Sequence, residues 1–165
     1  MRFDRLPFSP RLIQARWTLG KLPSEEAPKL AQVALELGFD GNNIRRLAGF
    51  INPIHADLLP LMPRFFGEMG IAVPMRREEA AWSLARHIAK AISEGQITPY
   101  EGAKFIWHDI VNEVWPNEQH PLLYFVGCAS DYEDCASYSQ HPEQRRREIE
   151  QEIIEEARTL LNAQE

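Results

Sequence analysis

Residues that start and stop helices punctuate this chain from end to end, and the apolar residues between them fall at helical spacing, which leaves little room for a sheet. The clearest case is residues 77–94, where Ala80, Ala81, Leu84, Ala85, Ile88, Ala91 and Ile92 share one face and Gly95 follows the end. Ser9-Pro10 reads as an N-cap and first helical residue for a helix near 10–19, closed by Gly20. Ser24 reads as the cap of the next, with Leu30, Val33, Ala34 and Leu37 at i, i+3, i+4 and i+7 before Gly38.

A short helix over 42–48 follows, with Ile44, Leu47 and Ala48 inward and Arg45 and Arg46 outward. In LLPLMPRFFGEMG a helix near 60–69 is best accommodated with Pro60 as its first residue, because the first four amides have no intrahelical acceptor. Thr98-Pro99-Tyr100-Glu101 matches a capping box that opens a helix to about Val114, with Trp107, Ile110, Val111 and Val114 as its apolar stripe. The run LLYFV is compatible with a buried strand, but His120-Pro121 signals a helix start and no second strand lies nearby to pair with it. A helix over 122–138 is therefore expected, and Pro142 opens a last one carrying Ile149, Ile153, Ala157 and Leu160. The expectation is an all-α, single-domain helical bundle of seven to eight helices over 1–165.

The length fits this expectation, since a chain of 165 residues buries about 70% of its unfolded surface. No early run resembles a secretory signal, and the most apolar stretch, Leu122 to Ala129, falls well short of the roughly 18 residues that span a bilayer. A cytoplasmic protein without membrane contact is expected. Cys128 and Cys135 lie i, i+7 on the expected helix, ~10.5 Å apart by helical rise. A disulfide requires α-carbons within about 7 Å, so both read as free thiols.

Charge is divided unevenly. Residues 1–90 hold 13 Lys and Arg against 9 acids, whereas residues 91–165 hold 5 against 15. Within the second half, Glu94 to Asp134 has Lys104 as its one basic side chain against eight acids. Such a field repels nucleic acid and attracts basic partners, although a charge run also serves simply as a solvated surface.

Phosphate-binding glycine loops, the G-x-S-x-G nucleophile motif, H-E-x-x-H and paired C-x-x-C are all absent from the sequence. The remaining chemical candidate is WHDIVNE, where His108, Asp109 and Glu113 offer a metal or general-base set against the plainer reading of a surface face. His87 next to Arg86 does not converge on one point, because adjacent helical residues diverge by about 100°. His55, His120 and His141 lack companions at ligand spacing, so neither metal nor cofactor is expected. Trp17, Trp82 and Trp107 read as core, and Trp115, flanked by Glu113 and Glu118, as an exposed interface anchor.

Three segments carry a resemblance: Gly38-Phe39-Asp40, Ile44-Arg45-Arg46-Leu47-Ala48-Gly49, and Gly95-Gln96-Ile97-Thr98-Pro99-Tyr100-Glu101-Gly102. On these the chain resembles a broad set of small, all-helical, uncharacterised bacterial proteins that are themselves similar to immunity proteins encoded beside secreted toxins. The likeness spans most of the chain, but its motifs are helix ends and transfer no catalytic residue. It implies a non-enzymatic partner of a cognate toxin with a basic surface. The expected contact surface comprises Asp109, Glu113, Trp115, Glu118, Asp131, Tyr132, Glu133 and Asp134, with an enzyme using His108, Asp109 and Glu113 as the alternative.

Overall fold

The computed structural model describes residues 7–71, 74–114 and 120–163. Among these residues the fold is all-α, with no strand. The α-helices are α1 (Pro10–Thr18), α2 (Ala27–Glu36), α3 (Asn42–Ala48), α4 (His55–Leu58), α5 (Met62–Glu68), α6 (Arg77–Ser93), α7 (Pro99–Phe105), α8 (Val111–Val114), α9 (Leu122–Tyr138) and α10 (Pro142–Asn162). A π-helical segment, Ile106–Ile110, joins α7 to α8, so the described residues form nine separate helices rather than seven or eight. The unanticipated one is α4, a single turn in which the Asp57 carboxylate accepts the Ile54 amide at 3.0 Å. The contacts divide the chain into two compact units, Phe8–Ala80 and the described residues of Ala81–Glu165 with Pro7.

The first unit starts as the sequence indicates: the Ser9 hydroxyl accepts the Leu12 amide at 3.3 Å, with Pro10 in the first turn. Ser24, however, opens a 3₁₀ turn (Ser24–Glu26), and α2 begins only at Ala27. Small side chains then let α2 and α3 approach closely. The buried residues of α2 are Ala27, Pro28, Ala31 and Ala34, Leu30 and Val33 are half-buried, and Leu37, expected inside, is 58% exposed beyond the helix end. The core is completed by Ile13, Ile44, Leu47, Met62, Phe65 and Phe66. Helix α5 starts at Met62 with Pro63 in its first turn, leaving Pro60 in the preceding turn rather than at the helix start.

Glu68, at the end of α5, caps α3 from a distance. Its carboxylate accepts the Asn43 and Ile44 amides, each at 2.9 Å, and the Asn43 side-chain amide at 2.6 Å. A Cβ on Gly41 would fall inside that carboxylate, so the capping residue has to be glycine for Glu68 to approach. Burial alone would push the Glu68 carboxyl up, but these donors outweigh it and hold the group below the usual carboxylate range. In α1, Arg16 is almost wholly buried and donates to Glu26 at 2.7 Å. Burial lowers its pKa despite that pair.

Helix α6 buries all seven residues expected of its stripe, Ala80 in the first unit and the other six in the second. Thr98 caps α7, its hydroxyl accepting the Glu101 amide at 3.3 Å. The Glu101 carboxylate accepts the Thr98 hydroxyl proton, rather than the backbone amide that a full capping box would engage. Thr98→Ala is expected to cost about 1 kcal/mol, measurable by urea denaturation.

The π segment changes which residues face inward. A wider turn rotates the positions that follow it, so Phe105, Ile106 and Ile110 are buried while Trp107, Val111 and Val114 are only half-buried. Helix α9 is helical throughout and buries Leu122, Phe125, Cys128, Ala129 and Cys135. It packs on α7 and α10, and α10 buries Ile149, Ile153, Ala157 and Leu160 as its spacing requires.

Candidate functional site

One face of the second unit assembles side chains from α7, α9 and α10 that are far apart in sequence. Tyr100 and Lys104 are one turn apart on α7 and meet Tyr132 and Glu133 on α9. The two tyrosine rings stack with centroids 4.2 Å apart and planes 15° apart. Glu133 accepts from Tyr100 and Lys104, each at 2.6 Å, and Arg146 on α10 sits 5.5 Å from the Tyr132 centroid. The hydrogen bond from Lys104, then that from Tyr100, lowers the Glu133 pKa, and the bonds that Lys104 donates to Glu133 and to the Tyr100 hydroxyl raise that of Lys104.

Arg145 is the second junction. It donates to Asp131 at 2.5 Å and Glu152 at 2.9 Å, with Glu148 at 3.6 Å, and thereby ties α9 to α10. Arg146 also pairs with Glu143 at 2.8 Å. Two of the acids expected on an open contact surface, Asp131 and Glu133, are thus engaged by cations of their own unit. Asp134 and Glu150 make no ion pair among the described residues, and Glu150 lies close enough to Tyr132 to raise its phenol pKa, second to burial.

Asp109 lies in the π segment and Glu113 in α8, both half-exposed and both with interactions of their own. Trp115 and Glu118 lie outside the described residues. His108 is exposed and its ring stacks on Trp107 at 4.5 Å. Among the described residues no group of three His, Cys, Asp or Glu side chains is placed to hold a metal ion, so His108, Asp109 and Glu113 do not form a coordinating set.

Trp17, Trp82 and Trp107 are half-buried rather than core residues. Each stacks on a histidine: Trp17 on His55 at 4.7 Å, Trp82 on His120 at 4.9 Å, and Trp107 on His108. The first pair is not foreshadowed by spacing, because 38 positions separate its members. It borders a cavity of about 390 Å³ in the first unit, lined also by Gln14, Leu59, Phe66 and Met75.

Both cysteines are free and buried. Burial, reinforced by Glu152 and Asp131, pushes the Cys128 thiol up to about 11, which keeps it protonated and unreactive at neutral pH. A second cleft of about 390 Å³ separates the start of α9 from the end of α10, with Tyr124 and Glu156 in its walls. Its two sides are more than thirty positions apart, so no sequence pattern signals it.

No protein-family model matches the chain, and neither any curated protein nor any solved structure does. Among the described residues no helix is long and apolar enough to cross a membrane.

Proposed function

We propose that the chain is a non-enzymatic binding protein, an immunity-type protein that acts in the cytoplasm by covering a basic surface of a cognate secreted toxin. The contact face is the α7–α9–α10 surface around Tyr100 and Tyr132, extended by Asp109, Glu113 and Asp134. One observation carries the reading. The stacked tyrosines are flanked by Lys104 and Arg146, whose charges are already engaged by Glu133 and Glu143, while Glu150 acts on the Tyr132 phenol and neither it nor the exposed Asp134 on α9 has an ion pair among the described residues.

Pre-ordered aromatic side chains lose little entropy on association and serve as anchors, while a surplus of one charge accelerates encounter with its complement. The same surplus repels nucleic acid and anionic membranes. The resemblance of the helix-end motifs to toxin-associated proteins points the same way.

The test begins with affinity capture from the native host and identification of the protein retained. With that partner purified, the association rate is expected to fall steeply as salt rises. Asp134→Asn combined with Glu150→Gln is expected to slow association several-fold with little change in dissociation, and Tyr132→Ala to act mainly on dissociation. Salt-independent association, unaltered in the double variant, rejects the acidic face.

A further inference from the structure

The geometry points to the cleft between α9 and α10 as a receptor for a single cationic side chain, lysine or arginine, presented by the protein partner. The inference rests on the protein-binding reading above and assigns a second contact, separate from the stacked tyrosines. The cleft offers about 390 Å³, within the range of formed ligand sites. Its wall is apolar, formed by buried Leu160, half-buried Leu123 and the ring of Tyr124, which is 48% exposed. That wall suits a methylene stem, the part of lysine and arginine that packs against apolar surface.

The polar groups lining the cleft differ in one respect. Thr159 donates its hydroxyl proton to the Glu155 carbonyl at 3.0 Å, and the His120 Nδ1 accepts the Leu122 amide at 3.3 Å. Glu156 is half-buried and has neither hydrogen bond nor ion pair among the described residues. A partly desolvated carboxylate without a partner is unfavourable until a donor or cation reaches it.

Further carboxylates act on the same wall. The Tyr124 phenol is raised by burial first, then by Cys128 and by the carboxylates Glu152, Glu156 and Glu155. Burial likewise raises the Glu156 carboxyl, with no cation lowering it. Neither nearby cation pairs with Glu156: Arg145 pairs with Asp131 and Glu152, and Arg86, at the edge of the cleft, donates to the Ala163 carbonyl at 2.9 Å. An ammonium or guanidinium head entering here is within the walls formed by the Glu156 carboxylate and the Tyr124 ring, a combination that neutral side chains do not exploit.

The test uses the full chain and three capped tripeptides, acetyl-Ala-X-Ala-amide with X lysine, arginine or norleucine, followed by NMR near neutral pH. Progressive shifts confined to Leu123, Tyr124 and Leu160 are expected with the lysine and arginine peptides and not with norleucine. Glu156→Gln is expected to weaken the response at least about tenfold, and Tyr124→Leu, which keeps the wall apolar, to weaken it several-fold. Both substitutions fall on partly exposed helical positions, and unchanged spectra elsewhere verify folding.

Equal shifts from the norleucine peptide, absence of shifts with both cationic peptides, or an unaltered response in Glu156→Gln each overturn the assignment. None of these results bears on the stacked tyrosines. Conversely, a captured partner whose association is salt-independent rejects the acidic face while the peptide result stands on its own.

Discussion

Replacing Glu68 with alanine is expected to destabilise the protein by about 2–3 kcal/mol, because three donors at the start of α3 lose a charged acceptor at once. Gly41→Ala is expected to cost about 2 kcal/mol by a different route. Gly41 has φ 176° and ψ 159°, an extended backbone that alanine adopts without strain, so the whole penalty comes from displacing the carboxylate. The two substitutions should therefore not add. In the Glu68→Ala background the methyl group meets no carboxylate, and Gly41→Ala should cost almost nothing further. Urea denaturation of the two single variants and the double variant measures this directly, and additive costs would rule out the cap as the link between the two sites.

The same cap has a pH signature. A carboxyl whose pKa is depressed on folding contributes stability above its unfolded pKa and loses that contribution as pH falls through its lower, folded value. The stability gap between the parent and Glu68→Ala is accordingly expected to be constant at neutral pH and to close in acid.

Phe125→Ala is expected to cost about 3–5 kcal/mol and Leu122→Ala about 2–5 kcal/mol, whereas Tyr124→Ala should cost about 1 kcal/mol or less. Phe125 and Leu122 are completely buried and Tyr124 is 48% exposed. Spacing gives the set its diagnostic value. A helix buries 122 and 125 together, while a strand would bury 122 and 124, so the ordering of the three variants in chemical denaturation distinguishes the two readings of LLYFV. A large loss at Tyr124 with a small one at Phe125 would contradict α9.

Local rules read the helix ends well. Ser9-Pro10, Thr98-Pro99 and Pro142 stand where their chemistry places them, since a cap or first-turn proline and its helix are neighbours in sequence. The stripes of α6 and α10 were equally legible, being long enough for the period to emerge. One turn is too short to display a period, which is why α4 was missed. Pro60 reads as the first residue of α5, but the helix starts at Met62 with Pro63 in its first turn, because either proline satisfies the same local rule.

The site was less legible because its pairs are remote. The acids of α9 are visible in the sequence as negative charge, but nothing local reveals that Lys104 engages Glu133 across 29 positions or that Arg145 engages Asp131 across 14. Composition therefore overstated how much of the acidic run from Asp131 to Asp134 is open. The tyrosine stack and the Glu156 cleft likewise depend on how α7, α9 and α10 meet, and charge counting does not contain that information.

The π segment between α7 and α8 bears on any attempt to map this surface by helical projection. An α-helix advances about 100° per residue, and the wide turn at Ile106–Ile110 adds roughly one residue's worth of phase without interrupting the rod. A wheel drawn from Pro99 onward consequently misplaces everything after the bulge. Asp109 and Glu113 belong to a different azimuth from the one their spacing to Tyr100 and Lys104 suggests. The segment works as a phase adjuster, setting the heading of α8 independently of α7 while both remain in one unbroken helix.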